Sequence, residues 1–188
     1  MEKLMVLRHG PTEKHEGIKG RENIPLSEEG KQYLSIIGQI MDIEQVPFEI
    51  VISSPLERAV ESAQILNRHH CRQFASPFFN ELDIQNLGKK AQGLALSDYD
   101  QLAREAGAET SAQALGRMLE GLDALKTLPQ KNGLLVSHSI VMNLLAAALS
   151  RNGGLQLEGP FDYGCGFLVD LNTMTIEAPF PPARYFEP

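Results

Sequence analysis

The stretch LMVLRHGPT, residues 4–12, decides how the rest of the chain is read. An apolar run, Leu4 to Leu7, meets Arg8, His9 and Gly10 with no polar buffer between them. A short apolar run that stops at a glycine reads as a buried strand, here Lys3–Leu7. The pattern recurs twice. FEIVISS, residues 48–54, closes on Ser53 and Ser54 with Arg58 just beyond, and GLLVSH, residues 133–138, closes on Ser137 and His138.

Helical patterns lie between these runs. Ser27 is expected to cap a helix over residues 28–41, with Glu28 and Glu29 in its first turn and Leu34, Ile37 and Met41 on its apolar face. Ser54 as cap and Pro55 at the first helical position predict a second helix. Residues 72–96 are rich in turn formers and are expected to be irregular. Ser97 is expected to cap a short helix over 98–107. A longer one is expected from about Ser111, with Leu115, Met118, Leu119, Leu122 and Leu125 at helical spacing. Residues 139–150 read as a helix, residues 166–178 as a hairpin turning at Asn172–Thr173, and the proline-rich tail from Pro179 as extended. Strands alternating with helices imply an α/β fold. The expectation is a three-layer α/β/α sandwich with a mostly parallel central sheet, in one domain over 1–188, with a small cap insertion at about 83–107.

Bulk properties narrow the function classes. A chain of 188 residues suffices for one domain with a sizeable core. Its net charge of −7 argues against nucleic acid or an anionic membrane as partner. The longest apolar run, residues 140–149, is about half of what a bilayer span needs. Cys71 and Cys165 make no disulfide framework, and the N-terminal apolar stretch is too short for a signal peptide. A reduced, cytoplasmic protein is expected; oligomeric state is left open.

In open α/β sheets, ligands bind beyond the carboxyl ends of the strands. Arg8, His9, Arg58 and His138 are therefore expected to converge. Two guanidiniums offer forked donors matched to phosphate oxygens, and a neutral imidazole held in one tautomer can attack phosphorus. Each residue alone is commonplace; the joint arrangement is not. The histidines lack zinc-site spacing, and there is neither a phosphate-cradling glycine loop nor a Gly-x-Ser-x-Gly elbow.

These residues resemble the histidine phosphatase superfamily, also called the phosphoglycerate mutase-like family. The resemblance runs through LRHGPT at 7–12, GRENIPLSEEGKQ at 20–32, SSPLERAVESA at 53–63, NELD at 80–83 and VSHS at 136–139. It implies that His9 is a phosphohistidine nucleophile, that Arg8, Arg58 and His138 bind the phosphoryl group, and that Glu81 donates the proton, with Asp83 as the rival acid. It further implies that Thr12 and Gly20 contact phosphate or substrate, and that no metal or other cofactor is needed. His15 stands where the family commonly has an Asn on the phosphate. Ser139 replaces the usual Gly after the second histidine, and Asn143 an Arg. Arg21, Lys89 and Lys90 are candidate rim contacts.

The expected activity is that of a phosphomonoesterase acting on a small phosphorylated substrate. A phosphoglycerate-type mutase and a phospho-ligand or phosphoprotein-binding domain without turnover are the alternatives. A mutase must keep water from its intermediate, and only 83–107, with Gly88 and Gly93, or the tail with Phe180, Tyr185 and Phe186, is available as a cover.

Overall fold

Hydrogen-bonded pairing brings the three apolar runs side by side. The computed structural model describes residues 1–13, 23–83, 87, 95–157 and 159–185. Its elements run β1 (Lys3–Arg8), α1 (Glu28–Ile43), β2 (Ile50–Ser53), α2 (Glu57–Leu66), β3 (Arg72–Ala75), α3 (Leu96–Ala106), α4 (Ser111–Lys126), β4 (Asn132–Ser137), α5 (Ser139–Leu149), β5 (Gly166–Asp170) and β6 (Thr175–Phe180). The strands form one sheet in the order β3-β2-β4-β1-β5-β6. The first four are mutually parallel, and β5 and β6 add an antiparallel ribbon. The sheet is mostly parallel, as expected.

Strand alternation sorts the core into two layers. Leu4 and Val6 of β1 pack with Met118 and Leu122 of α4 and Val141 and Leu145 of α5. Met5 and Leu7 face the other way, onto Leu34, Ile37 and Met41 of α1 and Ala59 and Ala63 of α2. Local signals fix the helix ends. The Ser27 hydroxyl accepts the Gly30 amide at 3.0 Å, Thr110 and Gln113 form a capping box at α4, and Gly107, at φ +66°, closes α3.

Four local expectations need correction. The helix after β2 starts at Glu57, not at Pro55, and its cap position is Leu56. The Ser54 hydroxyl accepts the Leu56 amide at 3.3 Å but donates to Asn80 Oδ1 at 2.9 Å, so it ties a loop down and the chain bends before the helix begins. Ser97 lies inside α3, whose cap position is Ala95. The stretch expected to be irregular contains β3, which among the described residues pairs only with β2. An edge strand of half-exposed residues carries no continuous apolar run to announce it. The tail does not simply extend: Pro179 and Phe180 finish β6, and Ala183–Tyr185 form a single 3₁₀ turn.

The tail also leads away from the strand ends that carry the candidate residues. Phe180 is buried in the layer beneath α1. The Tyr185 hydroxyl donates to Glu44, just past the C-terminal end of α1, at 2.6 Å. Phe186, and Gly88, Lys89, Lys90 and Gly93 of the expected cap, lie outside the described residues. Among the described residues no helix is long and apolar enough to cross a membrane.

Two helical glycines should respond oppositely to alanine. A Cβ on Gly30 would stand 2.1 Å from the Pro11 carbonyl oxygen, whereas one on Gly116 meets nothing within 4 Å. Denaturant unfolding should show Gly116→Ala more stable by up to about 1 kcal/mol. Gly30→Ala should lose about 2 kcal/mol or more despite the better helix propensity.

Candidate active site

Because β2, β4 and β1 are parallel neighbours, their carboxyl ends open at one edge of the sheet. The register sets Leu7 opposite Val136 and Arg8 opposite Ser137. His9 and His138 each come one residue later and so stand side by side, their ring centroids 5.1 Å apart. Backbone bonds hold this edge: the His9 amide donates to Ser137 O and the Ser54 amide to Val136 O, both at 3.0 Å.

Two contacts select one tautomer of His9. Its Nδ1 lies 2.7 Å from the Gly10 carbonyl oxygen, which only accepts, so Nδ1 carries the proton. The Arg58 Nε–H, which only donates, points at His9 Nε2 at 3.3 Å. Nε2 therefore carries the lone pair. Arg58 stands in the first turn of α2 and is only 3% exposed. Its own carbonyl accepts the Ser62 hydroxyl at 2.5 Å, and Ser62 Oγ in turn accepts the Gly10 amide at 3.0 Å. One serine thus links the Arg58 turn to the His9 turn.

Arg8 leaves β1 on the other side. Its Nη1 donates to Phe161 O at 2.7 Å, and its guanidinium carbon lies 3.9 Å from the centre of the Tyr163 ring. Tyr33 of α1 fixes that tyrosine, donating its hydroxyl to Tyr163 O at 2.9 Å. Burial, with Cys165 and Asp162 nearby, pushes the Tyr33 hydroxyl up to about 12, so it stays a donor.

Glu81 approaches from the loop after Phe79 and is 9% exposed. Its Oε1 accepts the Leu82 amide at 2.9 Å. Burial raises the carboxyl above its ordinary range; the Leu82 amide, the Arg58 charge and the Ile140 and Val141 amides at the start of α5 pull the other way. Burial wins, so the proton is held more tightly than on a free carboxylate. Asp83 is placed differently, its amide donating to Glu109 at 3.3 Å.

His138 is fully buried. Among the described residues neither of its ring nitrogens has a hydrogen-bond partner, and nor has Arg8 Nε. Such groups are costly to bury unsatisfied and mark a place built to meet polar atoms. Burial, then the charges of His9, Arg58, Arg8 and Arg117, depress the His138 imidazole well below its ordinary value. It is neutral at neutral pH and offers one donor.

The structure therefore brings Arg8, His9, Arg58, Glu81 and His138 together. Ser139 opens α5, and Thr12 bridges to Leu26 nearby. His15, Gly20 and Arg21 lie outside the described residues. Ser62, Asn80, Tyr163 and Arg117 were not singled out in the sequence; they act through backbone groups, a ring face or side-chain partners distant along the chain, which no spacing reveals. Among the described residues no group of three or more His, Cys, Asp and Glu is placed to hold a metal ion.

The model of the histidine phosphatase superfamily (branch 1) matches residues 4–177. The chain belongs to that superfamily. Its similarity to the uncharacterized phosphatase PhoE of Bacillus subtilis (strain 168) is 25% identity over 157 residues, covering 80% of this chain and 78% of that one. A phosphoglycerate mutase from Bacillus anthracis str. Sterne superposes with a TM-score of 0.75 at 18% identity, over 98% of this chain and 94% of its own. A mycobacterial glucosyl-3-phosphoglycerate phosphatase gives a TM-score of 0.66 at 21% identity, over 94% and 95%. These two structures share the α/β fold of this superfamily member.

The depressed His138 makes stability depend on pH with a definite sign. Below its ordinary value of 6.5 the unfolded chain binds a proton that the folded one refuses. Unfolding free energy should therefore fall as pH drops below that value, by at most about 1.4 kcal/mol per pH unit from this group. Denaturant titrations from neutral to mildly acidic pH should show a shallower fall for His138→Gln.

Proposed function

We propose that the protein is a phosphomonoesterase that hydrolyses a small phosphorylated substrate through a phosphohistidine on His9. The observation that carries this reading is the tautomer of His9: Nδ1–H on the Gly10 carbonyl, lone pair on Nε2. In the first step Nε2 forms a bond to phosphorus and the ester P–O bond breaks. The leaving oxygen takes the Glu81 proton. The imidazole then carries a positive charge, which the Nδ1–H···O=C bond to Gly10 stabilises. In the second step Glu81 takes a proton from water, the water oxygen bonds to phosphorus, and the N–P bond breaks to release phosphate. Arg8, Arg58 and His138 donate to the phosphoryl oxygens throughout, where fixed donors lower the barrier most.

Burial of Glu81 supports its part as acid, because a useful donor must hold its proton near neutral pH. The second reading, a mutase, is favoured by the likeness to the Bacillus anthracis enzyme. Against it stands the tail: Tyr185 is tied to Glu44 beyond the far end of α1 and Phe180 lies in the core, so neither shields a phosphohistidine from water. Thr12, His15, Gly20, Arg21 and Ser139 complete the proposed substrate site. The acidic chain fits a cytoplasmic enzyme of small phosphoesters.

Rapid quench with labelled phosphomonoester should trap an acid-labile, base-stable phosphate that His9→Ala abolishes. Turnover should be unchanged in EDTA. Arg58→Ala should cost on the order of a hundredfold in turnover, and Arg21→Ala far less. With phosphoglycerates, phosphate release should outrun isomer formation with or without a bisphosphate primer. The reverse order would establish a mutase, and binding without either product a non-catalytic domain.

A further inference from the structure

Residues 80–83 form neither helix nor strand, yet they hold a buried carboxyl in place. Beside the Ser54–Asn80 bond, the hold comes from Arg117 of α4 and from Glu109 just before that helix. Arg117 Nη1 donates to Pro77 O at 3.1 Å and Phe78 O at 2.6 Å, and Nη2 donates to Asn80 O at 3.2 Å. Its Nε and Nη2 also engage the two carboxylate oxygens of Glu109, at 2.9 and 3.2 Å. Glu109 Oε2 in turn accepts the Asp83 amide at 3.3 Å, and the Tyr99 hydroxyl donates to Glu109 O at 2.8 Å. One ion pair thus grips the chain on both sides of Glu81, at Asn80 and at Asp83.

The pair is built for this task. The side chains are only 19% and 16% exposed, so their bonds are little weakened by water. Three of the bonds run from one planar guanidinium to carbonyls within four consecutive residues. That is a fork a lysine cannot reproduce. Apolar anchors on either side, Phe79 and Leu82, are each 1% exposed and fix the depth of the loop. The polar grip adds a constraint on its orientation. A carboxyl that must reach a leaving oxygen tolerates little misplacement.

We propose that Arg117 and Glu109 form a clamp that positions Glu81 for proton transfer to the leaving group. Arg117 is a positioning residue; it acts through the loop and touches no reacting atom. The inference rests on the reading of Glu81 as the acid, and a leaving-group series tests the two separately. Esters of acidic phenols leave without a proton, whereas alkyl phosphates need one. The quantity to measure is kcat/KM, which reports formation of the phosphoenzyme, for a nitrophenyl phosphate and an alkyl phosphate. The proteins are wild type, Glu81→Gln, Arg117→Met, Arg117→Lys and Glu109→Gln, each with its melting temperature.

Glu81→Gln should lose about a hundredfold or more on the alkyl ester and only a few-fold on the nitrophenyl ester. Arg117→Met should follow the same pattern, at about tenfold on the alkyl ester and under about threefold on the other. Arg117→Lys and Glu109→Gln should fall between Arg117→Met and wild type, and they carry the test if Arg117→Met does not fold. Equal losses on both esters in folded Arg117 and Glu109 variants, or no loss, beside a steep Glu81→Gln, would overturn the clamp alone. A Glu81→Gln variant indifferent to the leaving group would overturn Glu81 as the acid and the clamp with it.

Discussion

The in-register parallel pairing of β1 with β4 is the constraint on which the rest depends. Arg8 opposite Ser137 sets the two histidines at one level and on one face of the sheet. A slip of one residue would turn one imidazole to the opposite face, and with it the whole apolar set of its strand. The pairing is protected by that same set. Leu4, Val6 and Leu7 are wholly buried, and so are Leu134, Leu135 and Val136. The energy that places the site is therefore the energy that folds the protein.

Around this frame the polar groups are held mostly by backbone. His9 leans on the carbonyl of its own neighbour, Arg8 on Phe161 O, and the Glu81 loop on Arg117 through three carbonyls. Backbone atoms in a packed domain move little, so side chains tied to them are pre-organised before any ligand arrives. Among the exceptions are His138 and Arg8 Nε, buried without partners among the described residues. Their unsatisfied capacity is a standing cost, of the kind that functional sites carry and surrounding packing offsets.

Much of this was legible in the sequence, for a physical reason. A buried strand needs an unbroken apolar run, so a charged residue directly after one is visible as an anomaly. Arg8, His9 and His138 were found that way, and Arg58 by its place in a helix after such a strand. Edge strand β3 was missed because half-exposed residues form no run. Pro55 misled because Ser54 spends its hydroxyl on Asn80, a contact that spans 26 positions in sequence. Arg117 was invisible because three of its five bonds go to backbone carbonyls, which every residue has, and its carboxylate partner, Glu109, lies outside the helix that carries it. Legibility ended where function passes from side-chain identity to backbone geometry.

The edges of the sheet have a consequence for the protein's life at high concentration. On one side β3 is only four residues long and opens with Arg72. On the other, β6 carries Glu177 and Pro179, and the proline nitrogen has no proton to give. Neither margin offers another chain a long, uninterrupted row of donors and acceptors. Such margins disfavour growth of a sheet with so apolar an interior past its described strands.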